Sequence, residues 1–202
     1  MQERIWPRLG AVSGLLYVVL LFGGPSIPLG EEALAVVEIA GLLLFIPFLG
    51  YLFSVLRRAE GEGGWLSVTA FGAGLLALTI KLGSAAPSFA ARDLEEGPLH
   101  TALHTMNGVA FVLSMLPLGV LVAATAIVVL KTRVLPMWLG WISAVTAPVL
   151  LVNGTFFEAE FVPAFLLFAL WIALTSAVLT LRASRATTKA ASSESARPEP
   201  VR

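Results

Sequence analysis

Leu103–Leu130 reads LHTMNGVAFVLSMLPLGVLVAATAIVVL, a run without one Asp, Glu, Lys or Arg. At 1.5 Å of rise per residue it exceeds the roughly 30 Å of hydrocarbon that about 20 helical residues cross. A soluble helix of this length needs a polar face, whereas a bilayer accepts apolar side chains all round. The stretch therefore reads as a membrane span, with surplus length to tilt or project.

Working outward, five further stretches have the same character: about residues 9–28, 34–56, 65–85, 137–156 and 162–181. Together with 103–130 they predict an all-α, polytopic membrane bundle of six transmembrane helices filling residues 1–182. Composition agrees. Of 202 residues, 57% are hydrophobic and 13% charged, with a mean hydropathy of +0.89; a soluble domain carries about 25% charged residues. From Ala183 the chain turns to Ser, Thr, Ala, Arg, Glu and Pro, which cannot bury a core, so 183–202 is expected to be a disordered tail.

Charge placement orients the bundle. If the N-terminus, the 56–65 and 130–137 connections and the tail share one side, that side holds Arg4, Arg8, Arg57, Arg58, Lys131, Arg133, Arg182, Arg185, Lys189, Arg197 and Arg202. Only Lys81 and Arg92 remain for the other side. Basic residues in short connections face the cytoplasm, so both termini are expected there, with the protein in the cell's inner (plasma) membrane. Trp6, Trp65, Trp138 and Trp141 fall at the same edge, where an amphipathic ring is favoured, while Trp171 falls mid-span. Arg4 and Arg8 before the first span also resemble a secretory signal, but no small-x-small cleavage site follows Pro28.

Helix-breaking residues give weaker signals. Gly10-x-x-x-Gly14 is a small-residue pair of the kind that lets helices approach closely. Pro47, Pro117 and Pro148 fall inside spans, where each removes a backbone hydrogen bond. Pro47 and Pro117 sit in similar surroundings, Ile46-Pro47-Phe48-Leu49-Gly50 and Leu116-Pro117-Leu118-Gly119, each followed by a basic turn and Trp-Leu, which raises the idea of a duplicated hairpin.

Ionisable side chains inside a span are costly and so mark candidate sites. Here they gather near the outer side: Glu38 on the second span, Lys81 on the third, His104 and Asn107 on the fourth, with Asn153 and Glu158 approaching from the fifth. The leading expectation is a polar cavity lined by Glu38, Lys81, His104 and Asn107 that binds a small solute or ion, and Glu38 and Lys81 are expected to pair as an intramembrane salt bridge. A second reading uses the spacing of His100 and His104, four apart on one helical face, as metal ligands completed by Glu38 or Glu158 in a membrane-embedded enzyme. It lacks the adjacent glutamate of a His-Glu-x-x-His site, since Thr101 follows His100. A third makes the chain an accessory or scaffold subunit, or a homo-oligomer, acting through its helix faces. The plainer alternative for each polar residue is an interfacial place with its head in water.

Other chemistry is excluded more simply. The absence of cysteine removes thiolate nucleophiles, thiolate metal sites and disulfides. A net charge of zero implies no nucleic-acid partner. The glycines of Gly61-Glu62-Gly63-Gly64 follow no strand and make no phosphate loop. No cofactor is implied, and a non-enzymatic role is favoured.

At Val134-Leu135-Pro136-Met137-Trp138-Leu139-Gly140-Trp141, after Lys131 and Arg133, and at Arg8-Leu9-Gly10-Ala11, the chain resembles the DUF4386-like group of small six-span bacterial membrane proteins. The resemblance extends over most of residues 8–182. It implies a six-helix membrane fold and carries over no activity and no catalytic residues, since the group's function is unassigned.

Overall fold

The computed structural model describes residues 6–23, 30–91, 94–156 and 162–195. They form six α-helices and, among the described residues, no strand: α1 (Trp6–Gly23), α2 (Glu31–Glu60), α3 (Leu66–Ala91), α4 (Pro98–Thr132), α5 (Met137–Phe156) and α6 (Val162–Ser195). Five helices, α2 to α6, are long and apolar enough to cross a membrane; α1 contributes a shorter apolar segment, Leu9–Gly23. Of the expected first span, residues 24–28 lie outside the described ones.

Successive helices are antiparallel neighbours, as short connections require, and α1 also packs on α6, so the ring closes in chain order. The register follows from individual contacts. On α1, Gly10 lies against Tyr51 of α2, whereas Tyr17, two turns on, meets Phe45, with ring centroids 5.2 Å apart. On the other flank of α1, Gly14 faces Ser176 of α6 and Phe22 faces Phe165. The Gly10/Gly14 pair thus sits where expected of such a pair, at a close approach. A Cβ on Gly14 would collide with Ser176 Oγ and lie 2.7 Å from Phe48.

The centre of the bundle is aromatic. Phe45, Phe48, Phe168 and Trp171 are buried and linked by ring contacts. Trp171 is fully buried, and its indole N–H donates to Ser143 Oγ at 2.7 Å, while that hydroxyl donates to the Leu139 carbonyl. In lipid the apolar effect does not press helices together, so close packing and satisfied hydrogen bonds of this kind hold the bundle. The outward faces carry Val19, Leu43, Leu76, Val145 and Leu170, all exposed. Such a surface on successive helices suits hydrocarbon and would drive aggregation in water. The chain is a multi-pass helical membrane protein.

One end of the bundle is basic. Arg58, Lys131, Arg133 and Arg182 are exposed there, together with Trp65, Trp138 and Trp141. Its two connections are built differently. Between α2 and α3, Gly61 and Gly63 adopt positive φ (79° and 82°), which a side chain would resist. Glu60 then reaches forward, its two carboxylate oxygens accepting the backbone N–H groups of Leu66 (3.0 Å) and Ser67 (2.9 Å), and Arg57 donates to the Gly64 carbonyl. This caps the α3 N-terminus, whose first N–H groups have no partner in the helix. Between α4 and α5, Arg133 itself takes the left-handed conformation (φ 54°) and its N–H closes on the Val129 carbonyl at 2.8 Å. Both helices end on a positive-φ residue whose N–H bonds the carbonyl four residues back (Gly61 to Arg57, Arg133 to Val129), but ψ differs, −163° at Gly61 and 27° at Arg133.

Two sequence expectations shift. Helix α6 does not end near Leu181 but continues through Ser195, so the expected change to a disordered tail at Ala183 is corrected: residues 183–195 are helical, and 196–202 lie outside the described ones. Alanine-rich sequence with no Gly or Pro before Pro198 extends a helix already nucleated by the span. Helix α4 is also longer than its apolar run. Every buried residue of α4 lies between Val112 and Val129, and the turns from Pro98 to Phe111 carry none.

Candidate functional site

The half of the bundle away from the basic end contains a cleft. It is lined by Tyr17 and Leu21 of α1, Leu42 and Phe45 of α2, Ala77, Leu78 and Lys81 of α3, Phe111, Ser114, Met115 and Leu118 of α4, and Phe165 and Phe168 of α6. Its free volume is about 450 Å³, open surroundings included. The walls are phenylalanine and aliphatic side chains; the polar lining groups are Lys81, Tyr17 and Ser114.

Helix geometry produces this arrangement. Ala77, Leu78 and Lys81 follow the i, i+1, i+4 spacing that keeps side chains on one α3 face, and Phe111, Ser114, Met115 and Leu118 do the same on α4. Lys81 is half-buried, and its Nζ lies 4.6 Å from the centroid of the Phe111 ring. That is cation–π distance, at which a desolvated ammonium gains up to about 2 kcal/mol. Ser114 Oγ donates to the Phe111 carbonyl at 2.6 Å, so its hydroxyl adds little polarity to the wall.

One turn outward on α3, Ser84 Oγ is 2.9 Å from Asn107 Oδ1 and 2.8 Å from the Lys81 carbonyl. One hydroxyl hydrogen serves these two acceptors, so the contact links α3 to α4 directly above the cleft. Of the four residues expected to form a polar cavity, Lys81 lines the cleft and Asn107 meets Ser84, whose other contact is to the Lys81 main-chain carbonyl. His104 is exposed on α4. Glu38 is exposed on α2, one turn outward from the lining residue Leu42, and within electrostatic reach of the Tyr17 hydroxyl. It belongs to the rim of the cleft and not to its walls.

His100 and His104 are neighbours on one helix face as their spacing predicts, with ring centroids 4.6 Å apart and planes tilted by 56°. Among the described residues no three His, Asp or Glu side chains converge as metal ligands, and Glu158 lies outside them. Asn153 is 1% exposed, and neither its Nδ2 nor its Oδ1 has a hydrogen-bond partner.

The aromatic lining is what sequence reasoning missed. Phe111, Phe165 and Phe168 look like ordinary span residues, and only their spacing from Lys81 across a helix pair gives them a role. A visible signal did exist in Lys81, a cation amid Leu75–Leu82. No family model matches the chain, and neither a curated protein nor a solved structure is similar to it.

Proposed function

We propose that this chain is a six-span protein of the bacterial plasma membrane, with both termini in the cytoplasm, whose outer-half cleft binds a small solute or ion. The observation that carries this reading is the position of Lys81: an ammonium at membrane depth, directed at a cleft on which five helices converge. Intramembrane cations are retained where they pair or bind, since each is expensive in hydrocarbon. The orientation rests on the basic residues and tryptophans gathered at one end of the bundle. The sixth span rests on α1, which packs antiparallel between α2 and α6 and, counted from Trp6, approaches the length of hydrocarbon. The resemblance to the DUF4386-like group implies the same six-span layout and is part of this proposal. The role is that of a binding protein: the cleft offers a charge, a hydroxyl and apolar walls, and no nucleophile paired with a base.

The absence of native cysteine makes the test clean. Ser114→Cys, nearly isosteric, places one thiol in the cleft. Methyl methanethiosulfonate added to intact cells should label it, whereas the lipid-facing Val145→Cys should stay unlabelled by membrane-impermeant reagents. An unreactive Ser114→Cys thiol in folded protein would sink the cleft reading. Impermeant labelling of Glu62→Cys from outside, in place of Glu95→Cys, would reverse the orientation.

A further inference from the structure

We propose that His100 and His104 form a metal site at the outer end of α4, separate from the cleft, which holds one divalent transition-metal ion of the copper or nickel kind on two imidazoles. They are the chain's only histidines, and it has no cysteine. A spacing of four puts both rings on one helical face, the arrangement by which two histidines of a helix share an ion. His104 is exposed and His100 half-buried, so an ion reaches the pair from water. Asn107, one turn further on, is engaged with Ser84, and among the described residues no third imidazole or carboxylate joins the two rings. The site therefore has two protein ligands.

The rings are set for one shared ion. A ligated ion lies in the plane of each imidazole, so parallel stacked rings cannot share it, whereas planes tilted by 56° intersect. A metal–nitrogen bond of about 2.0–2.1 Å, with about 1.1 Å more to the ring centre, sets each centroid roughly 3.2 Å from the ion. Centroids 4.6 Å apart then subtend about 90° at the ion, less than the roughly 109° of a tetrahedral zinc site. Right-angled nitrogen ligands belong to the square-planar and tetragonal coordination of Cu(II) and Ni(II). Mg²⁺ and Ca²⁺ prefer oxygen ligands throughout.

Position sets what such a site can do. Helix α4 has 35 residues, whereas about 20 cross hydrocarbon, so its first turns project on the side away from the basic end. Those turns, from Pro98 to Phe111, bury no residue, and the pair stands in water. Two protein ligands leave the other positions to water or to an incoming donor. That is the open arrangement of a site that exchanges its ion, in contrast to the closed four-ligand arrangement of a structural site. The partial positive charge of the α4 N-terminus opposes the ion, while the exposed carboxylates of Glu95 and Glu96, just before the helix, act in the opposite sense.

Isothermal titration calorimetry of the full chain, free of any affinity tag and held in dodecylmaltoside micelles, tests the site with the metals alone. Cu²⁺ and Ni²⁺ should each bind at one ion per chain, and Mg²⁺ should not bind. His100→Ala and His104→Ala should each weaken Ni²⁺ binding at least about tenfold, since altering even an outer-shell partner of a metal ligand costs about 10–100-fold. Ala102→His combined with His104→Ala keeps two imidazoles but puts them on opposite faces of α4, and it should bind no better than His104→Ala. The electron spin resonance of bound Cu²⁺ should carry the hyperfine pattern of two nitrogens. Far-UV circular dichroism checks that each variant keeps its helices. Absence of binding, unchanged affinity in the histidine variants, full affinity in the relocated pair, or a one-nitrogen Cu²⁺ spectrum would each overturn the proposal. Neither Lys81 nor Ser114 takes part, so the cleft stands or falls separately.

Discussion

The contacts of α1 with α6 and of α4 with α5, and the outer turns of α3 and α4, are packed by different rules. At the first, helices touch at backbone distance: a Cβ on Gly14 would collide with Ser176 and Phe48, one on Gly119 would meet Leu151 at 2.6 Å, and one on Gly154 would meet Leu116 at 2.8 Å. In the outer turns, Gly83 of α3 and Gly108 of α4 have nothing within 4 Å, and α4 buries no residue before Val112. The connections differ too. Glu60 caps α3 at the basic end, whereas α2 and α4 start at Gly30 and Gly97 with no side-chain cap. The looser packing is confined to the outer turns of α3 and α4, beside a cleft with a charge in it. Rigid support beneath a roomier site is a usual way to hold a ligand without freezing its entry.

The contrast is breakable. Gly14→Ala should cost about 1–3 kcal/mol, the range for overpacking a tight interface, whereas Gly108→Ala should be neutral or slightly stabilising. Reversible unfolding in mixed detergent would show it, and equal losses at both sites would remove the distinction. Ser143→Ala strands the buried Trp171 indole N–H and should cost about 2 kcal/mol, read by the same unfolding with Trp171 fluorescence as a second probe. In the far half the sign should invert. Asn153→Leu replaces a buried amide without partners by an apolar group of similar size and should gain about 1 kcal/mol, seen as a raised melting temperature. A loss there would mean that the amide is satisfied by something in the membrane.

Smaller effects sharpen the picture at the two ends. Glu60→Ala removes the carboxylate cap of α3 and should cost about 1 kcal/mol, with faster amide exchange at Leu66 and Ser67. Asn107→Ala breaks the one side-chain link described between α3 and α4 above the cleft. Polar contacts between membrane helices average about 0.6 kcal/mol, so stability should barely change while the Ser114→Cys thiol in the cleft becomes more reactive.

Much of this was legible because a bilayer imposes a coarse grammar. Span length is set by hydrocarbon thickness, so α5 begins and ends at the residues its apolar run indicates, Met137 and Phe156. Charge-free runs, basic connections and edge tryptophans depend on position along the chain alone. Local pattern failed where a helix outlasts its apolar stretch, as α6 does through Ser195, because composition that cannot bury a core can still extend a helix. Matching depth along the chain does not fix rotation about the helix axis: Lys81 lines the cleft, Glu38 is exposed at its rim near Tyr17, and His104 is exposed outside the lining.

The sequence by itself therefore determined that the chain is a helical membrane bundle, roughly where its helices run, and which residues are too polar for their depth. Only the tertiary structure decided which of those residues face one another. Azimuth and register come from close contacts such as Gly14 on Ser176 and Tyr17 on Phe45, made between residues far apart in sequence. Those contacts turn Lys81 toward Phe111 and leave a cleft beside them, a juxtaposition that no single helix encodes.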